Sequence, residues 1–600
     1  MMSFFKPPLS ELPALPEQNN GTQIGRTYKI YGLLLLAVIF SYLMLGLNIL
    51  EKTPVLDWDY FNSLSFVVHN IFNHYHKFPL HDPWVLGGYD ILSNPQSRVF
   101  SPFVLLDLLF VAPMANALSL LFLGFIGIIG CYKLLTYLKI QPVIATIGSV
   151  IYINASWFSL HYTLGHIIFG SFQLMALCFY FILKLSDKKY IFYFALLMAF
   201  FLLDGAIYTF IFSLYLLLFS LAIGINGINL INVWKFLWKN RTALLVSLLC
   251  FVLISSAKIV PLLSIHANRN PEAEFIQMPF TLLFVSLFNP FQTIAKEGFW
   301  VSYGSAFHEF GCYLGFAGVL IILWFLHKSQ NLKANYKFLL IALLFLFIAT
   351  GRAMAINPWR LMQIIPFLNQ AHIQSRYFIL FYIMFVILLS KALNHLFLTS
   401  NIKWIRLLLV FLVIESFFVA NYSFYHAFNI SGMYRMTNSF RQAMPKKTIS
   451  KTICQSQKPE IYFKKDIATK TTYEPAKMDS RIKCADDLNY KGEVYVIDGS
   501  GNVEILSFNP GEIIVGYDVL NPSTFQINSN FLAGWKVKQG DAEVFSRDGL
   551  ITVGPIGMSG TITLEYAPWY LKYVLIAYSL GIMLTVVVFL KQQKDAKKSG

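Results

Sequence analysis

Apolar residues along this chain arrive in long runs separated by short polar breaks, with cores at 30–50, 113–136, 141–156, 166–184, 189–204, 206–222, 243–262, 311–327, 338–351, 375–394, 405–424 and 570–590. A hydrocarbon core of roughly 30 Å needs about 20 helical residues, and lipid offers the backbone no hydrogen-bond partner but itself. The runs therefore predict about twelve membrane helices. The stretch 102–111 is too short for that and predicts a re-entrant or interfacial piece. The pattern changes at 425–569, which is polar at first and then, from about 493, alternates apolar and polar positions, as in "GEIIVGYDVLNPSTFQINSN" and "GLITVGPIGMSGTITLEYAP". A period of two between Gly, Asn and Pro turns predicts antiparallel strands, hence a small β-sandwich-like domain. The expected fold is a membrane all-α bundle with that domain set before the last helix: tail 1–29, transmembrane part 30–424 with a first loop at 51–100, domain 425–569, last helix 570–590 and a basic tail 591–600.

Composition excludes a soluble globule: over 600 residues, 56% are hydrophobic and only 13% charged, and the mean hydropathy is +0.57. The net charge of +16 falls in every second loop, at Arg26 and Lys29, Lys139, Lys184 to Lys189, Lys235 to Arg241, Lys328 to Lys337, Lys403 with Arg406, and Lys591 to Lys598. Short basic loops stay in the cytoplasm, so both termini are expected there and the 51–100 loop and 425–569 domain outside. Topology and anionic headgroups account for the charge without a nucleic-acid partner. The first run lacks a small-residue cleavage site and reads as an uncleaved anchor. Cys454 and Cys484 lie in the outward domain, where a disulfide is one of two open outcomes; Cys131, Cys178, Cys250 and Cys312 sit in or beside apolar runs as small hydrophobes.

Polar chemistry then collects on the expected outer side. The first loop, "LDWDYFNSLSFVVHNIFNHYHKFPLHDPWVLGGYDILSNPQSRVF", carries Asp57, Asp59, His81 and Asp82. Elsewhere on that side are His161 and His166 in "SLHYTLGHIIF", Asp204 in "LLDGAIY", His308 and Glu309, Arg352 and Arg360 in "TGRAMAINPWRLMQ", and Arg376 in "IQSRYF". Asp57 and Asp59 offer a general base and its helper, or two ligands for a divalent cation; solvated loop charge is the plain alternative. Each histidine can equally be a satisfied core group, Asp204 a cap, and Glu309 a partner for a helix dipole. Lys258, inside an apolar run, is functional or snorkels to the headgroups, and Glu415 has no evident partner. No Walker A loop, dinucleotide fingerprint, His-Glu-x-x-His or Cys-x-x-Cys is present.

The acidic pair, "FPLHDPWVLGGYDILSNPQ", Gly165-His166, Arg376 and the closing "FLAGWKV…EYAPWYL" resemble the YfhO-like bacterial membrane proteins of the glycosyltransferase C superfamily. The resemblance spans most of the chain, with His81-Asp82-Pro83 standing where the family pattern tends to read Trp-Asn-Pro. It implies a glycosyltransferase C-type bundle in the bacterial cytoplasmic membrane that takes a sugar from a polyprenyl-phosphate donor, at the outer face, to an envelope glycan, polymer or lipid acceptor. Asp57 is then the expected base of an inverting transfer, with Asp59 assisting. Arg376, Arg360, Arg352 and Lys258 are the cations expected to hold the donor phosphate. His81, Asp82, His161, His166, Asp204, His308 and Glu309 are the expected substrate contacts. No cofactor is required, and a divalent cation at Asp57 and Asp59 is optional. The competing classes are a lipid or glycan transporter, against which no inverted repeat is visible between the halves, and a noncatalytic envelope scaffold.

Overall fold

A computed structural model describes residues 20–54, 56–225, 227–264, 278, 280–292, 307–351, 359, 362, 373–399, 402–429, 434–436, 449–455, 467–471 and 481–599. Among them, seven helices are long and apolar enough to cross a membrane: Ala112–Tyr137, Pro142–Leu164, Arg241–Ser264, Ser329–Ala349, Gln374–Thr399, Lys403–His426 and Leu571–Asp595. A bent pair, Lys29–Ser41 and Leu43–Ile49, meets at 58° and makes an eighth if it is one span. The runs at 166–184, 206–222 and 311–327 are helical but shorter, as Ile167–Leu183, Ile207–Ile223 and Phe316–His327. The expectation of twelve full spans is thus met only by seven or eight among the described residues. Hydropathy registers that a run avoids water, whether lipid or protein covers it. Residues 167–174 are buried on every side and wound as a tight 3₁₀ helix.

The long helices keep an apolar surface for lipid. Leu320, Leu323, Leu407, Met583 and Leu590 are all more than half exposed, which a soluble protein would cover. Inside the bundle, glycine permits close approach: a Cβ on Gly127 would come within 2.4 Å of the Gln173 carbonyl oxygen. One on Gly130 would come within 2.5 Å of Leu177 Cβ, so Ala112–Tyr137 meets the 167–183 segment backbone to backbone. Residues 102–111 hold only the six-residue helix Val104–Leu109, in keeping with a piece too short to span.

Strands tie the first loop to the C-terminal part. The loop carries β1 (Lys52–Pro54), β2 (His81–Asp82) and β3 (Tyr89–Asp90); beyond the bundle come β4 (Tyr434–Met436), β5 (Lys451–Gln455) and β6 (Ile467–Thr471). β1 pairs antiparallel with β4, and β2 with β3, setting His81 opposite Asp90. The domain proper is built of β7 (Val494–Asp498), β8 (Gly501–Asn509), β9 (Glu512–Val519), β10 (Ser523–Asn530), β11 (Trp535–Gln539), β12 (Glu543–Arg547), β13 (Leu550–Ile556) and β14 (Ser559–Tyr566). They form two four-stranded sheets, in the orders β12-β13-β10-β7 and β11-β14-β9-β8. The alternation along the strands turns Ile513, Val515, Phe525, Ile527, Ile551, Val553, Ile562 and Leu564 into one shared core between them. Cys454 in β5 is joined by a disulfide to Cys484 ahead of β7.

The first loop is built into this domain. Gly87 N donates to Thr469 O at 3.0 Å, Thr469 N to Trp84 O at 2.8 Å, and Asn530 N to Gly87 O at 2.8 Å. Asn530 Nδ2 donates to the carbonyls of Leu86 and Gly88 at 2.6 and 3.0 Å. Gly87 and Gly88 have φ of +67° and +90°, and a Cβ on Gly88 would sit 2.8 Å from Ser529 Oγ. Both the turn and the close approach therefore require glycine there.

Candidate functional site

Several residues expected to touch substrate instead fasten the loop. Asp82 Oδ1 accepts from Trp84 N at 2.9 Å, closing a local turn. His81 packs its ring 5.0 Å from Trp535 and 5.6 Å from Tyr566, and its Nδ1 faces Gly511 N at 3.4 Å. Burial pushes its pKa down to about 3, so it is neutral. Opposite it, Asp90 accepts from Leu92 N at 2.8 Å, Tyr566 OH at 2.8 Å and the Tyr570 hydroxyl. Burial raises the Asp90 pKa, and the hydrogen bonds from Tyr570 and Tyr566 oppose that rise. The "GW" and "EYAPWY" turns thus meet the first loop through Trp535, Tyr566 and Tyr570.

Lys258 has a similar use. Its Nζ donates to the carbonyls of Asn94 and Ser97, each at 2.6 Å, so an ammonium inside an apolar helix holds the end of the loop. Next along the chain, Arg98 forms a bidentate pair with Asp107, Nε to Oδ2 at 3.0 Å and Nη2 to Oδ1 at 2.7 Å. Its remaining nitrogen donates to Ser119 Oγ at 3.1 Å, and Nη2 also reaches Asn116 Oδ1 at 2.8 Å. Asp204 accepts from the Ser101 and Ser171 hydroxyls, both at 2.8 Å. Arg98, Asp107 and Asp204 border a small cavity of about 20 Å³, together with Ser65, Gln96 and Asn116.

Five of the expected residues do converge. His161 lies in the last turn of the helix Ser156–Leu164, after which Gly165 at φ 109° reverses the chain and brings His166 back to it. The two Nδ1 atoms face each other at 2.8 Å. The 3₁₀ turn Phe307–Glu309 contributes His308, whose ring lies 5.6 Å from that of His161 and 5.3 Å from that of His166. Glu309 beside it is held by Arg376, Nε to Oε2 at 3.0 Å and Nη2 to Oε1 at 2.5 Å, and its Oε1 is 3.4 Å from His308 Nε2. Burial alone would raise the Glu309 pKa, but Arg376 and His308 outweigh it and keep the carboxylate well below its usual range. The Arg376 guanidinium lies over the rings of Phe169 and Tyr208, at 4.8 and 4.9 Å. All five side chains are buried, yet His161 Nε2 and His308 Nδ1 have no hydrogen-bond partner among the described residues.

One further residue links this centre to the first loop. Trp58 is fully buried, and its Nε1 donates to Tyr162 O at 2.7 Å. That bond pins the start of the helix Leu56–Asn73 beside the residue that follows His161. Asp57 and Asp59 flank Trp58 on this helix; their side chains, like Arg352 and Arg360 as a whole, lie outside the described residues. Glu415 accepts from Tyr313 OH at 2.6 Å. Arg376, expected to hold phosphate, directs its fork at Glu309 in this structure. Sequence reading missed the Arg98–Asp107 pair and Trp58. A lone aspartate in "PFVLLDLLF" was a usable signal, since such a carboxylate is costly in an apolar setting without a partner. No protein-family model matches the chain, and a search of curated proteins gives no match.

Proposed function

We propose that the protein is a membrane glycosyltransferase of the glycosyltransferase C type, which moves a sugar from a polyprenyl-phosphate donor to an envelope glycan, polymer or lipid acceptor. In this reading it lies in the bacterial cytoplasmic membrane with both termini inside, the short apolar helices complete the set of crossings, and the first loop and β domain face outward. The observation that carries the proposal is the Trp58–Tyr162 hydrogen bond, because it ties the helix start that bears Asp57 and Asp59 to the helix that bears His161. In this reading the two carboxylates of that helix serve proton removal, and the cationic and imidazole groups serve anion stabilisation.

Asp57 takes the proton of the acceptor hydroxyl as its oxygen bonds to the anomeric carbon. The bond from that carbon to the phosphate oxygen breaks on the opposite face with both electrons, releasing polyprenyl phosphate and inverting the sugar. Arg376 acts through Glu309, which fixes His308. Arg352 and Arg360 are the cations assigned to the phosphate.

Asp57→Asn keeps size and most hydrogen bonding. Purified protein given a polyprenyl-phosphate sugar and an envelope extract should release polyprenyl phosphate about 100-fold or more slowly in this variant, with donor binding unchanged. Equal release from both proteins removes Asp57 from the mechanism. An envelope scaffold is the second reading, favoured by the commitment of His81, Asp82 and Asp90 to docking; no release from either protein would support it.

A further inference from the structure

We propose that His161, His166, His308 and Glu309 form a binding site for a divalent transition-metal ion of the zinc class, separate from the Asp57–Asp59 pair. Each of the four offers a ligand atom, and these atoms all lie within 4.8 Å of one another. Tetrahedral ligands at about 2.0–2.1 Å from zinc stand roughly 3.3 Å apart, so the widest separation needs to contract by about 1.5 Å. Side-chain rotation of that size leaves the two 3₁₀ turns and the Gly165 reversal in place.

The facing nitrogens of His161 and His166 carry the inference further. At 2.8 Å, two imidazole nitrogens share one proton. Replacing that proton by a metal ion asks them to part by about half an ångström, to the spacing of neighbouring ligands. Histidines that merely fill a core usually satisfy their ring nitrogens. His161 Nδ1 and His308 Nε2 face cluster partners, whereas the opposite nitrogens, His161 Nε2 and His308 Nδ1, are buried without partners among the described residues, so neither ring is committed to a core hydrogen bond on its far side.

Ligand chemistry selects the ion. Three imidazoles and one carboxylate suit zinc, cobalt, nickel or copper, whereas magnesium and calcium prefer all-oxygen sites. Glu309 already has the outer partner that a ligating carboxylate usually requires, in the Arg376 fork. Because the four side chains fill a tetrahedral shell and Glu309 is already paired with Arg376, the ion's charge must be balanced by an anion beyond that shell. Binding of the ion does not depend on the glycosyl-transfer reading.

The test is metal binding by the full-length protein in detergent, stripped by chelator and titrated with Co(II). The expected result is one ion per chain, an intense visible d–d spectrum typical of a low-coordinate nitrogen-rich site, and displacement by Zn(II). His308→Ala and His166→Ala should each weaken Co(II) binding at least about 10-fold while thermal unfolding shows the variants still folded. Asp57→Asn/Asp59→Asn should keep the spectrum unchanged. The proposal is overturned if wild type shows no such spectrum at one equivalent, if the folded histidine variants bind as wild type does, or if the spectrum disappears only in the aspartate variant. Should the histidine variants fail to fold, the wild-type and aspartate-variant spectra still decide.

Discussion

Among the described residues two arginine–carboxylate pairs are buried in this bundle, and the surroundings of one differ sharply from those of the other. Arg98 and Asp107 are wrapped by Asn116 and Ser119, which accept from the guanidinium, so the charge pair is solvated by the protein itself. Arg376 lies over the rings of Phe169 and Tyr208, and Glu309 is grouped with three histidines, two of which keep a nitrogen without a partner among the described residues. The wall between the pairs is the segment that follows His166: Ile167 and Ile168 line the Arg98 cavity, whereas Phe169 covers Arg376. A buried pair with every donor used behaves as a pin, and one left with surplus ligand atoms is built to meet something else.

The largest effect should come from breaking the pin. Arg98→Ala leaves Asp107 buried and uncompensated, which should cost about 3–5 kcal/mol in detergent unfolding measurements. Arg98→Met/Asp107→Leu should recover most of that loss. The corresponding Arg376→Met/Glu309→Leu should also fold, but lose Co(II) binding; if it binds cobalt normally, the contrast between the pairs fails.

Smaller effects sharpen the comparison at the loop. Tyr570→Phe removes one donor to Asp90 and should cost about 1.5–3 kcal/mol while leaving Co(II) binding intact. Trp58→Phe removes a single buried hydrogen bond, worth about 1 kcal/mol, yet should slow polyprenyl-phosphate release far more than that loss of stability explains, because it frees the helix start that carries Asp57. If release falls no further than the folded fraction does, the tether is only structural.

The last effect develops only as the pH is lowered. His81 is held neutral, with a pKa near 3 against an ordinary value of about 6.5, so as pH falls below about 6.5 the unfolded chain gains a proton that the folded one refuses. Stability should decline through that window toward pH 3. Asp90, with its pKa raised, contributes in the opposite sense, so the informative quantity is the difference between wild type and His81→Phe. The variant should show the shallower acid decline; identical slopes would mean that His81 is not the group that titrates.

Much of this was legible in the sequence, for physical reasons that also mark where legibility ended. Alternation in "GEIIVGYDV" and "GTITLEY" carried the two-sheet domain because one face of each strand had to be apolar. Long apolar runs carried the membrane helices. Their number did not follow, since the 167–174 run is covered by protein. His161, His166, His308, Glu309 and Arg376 stood out as polar groups on one expected face, and they do converge. His81, Asp82, Asp204 and Lys258 stood out equally, but their partners are a β-domain ring, a neighbouring amide, serine hydroxyls and loop carbonyls, which hydropathy and spacing do not encode.

The most direct measurement is polyprenyl-phosphate release from a polyprenyl-phosphate sugar by the two neutralised double variants, compared at equal folded concentration. The account predicts that Arg98→Met/Asp107→Leu releases within about threefold of wild type, and that Arg376→Met/Glu309→Leu loses at least about 100-fold, the scale of a lost acid–base or anion-stabilising group. Full release by the Arg376→Met/Glu309→Leu protein, with loss in the Arg98→Met/Asp107→Leu protein, would contradict it and move the reaction to the Arg98 cavity.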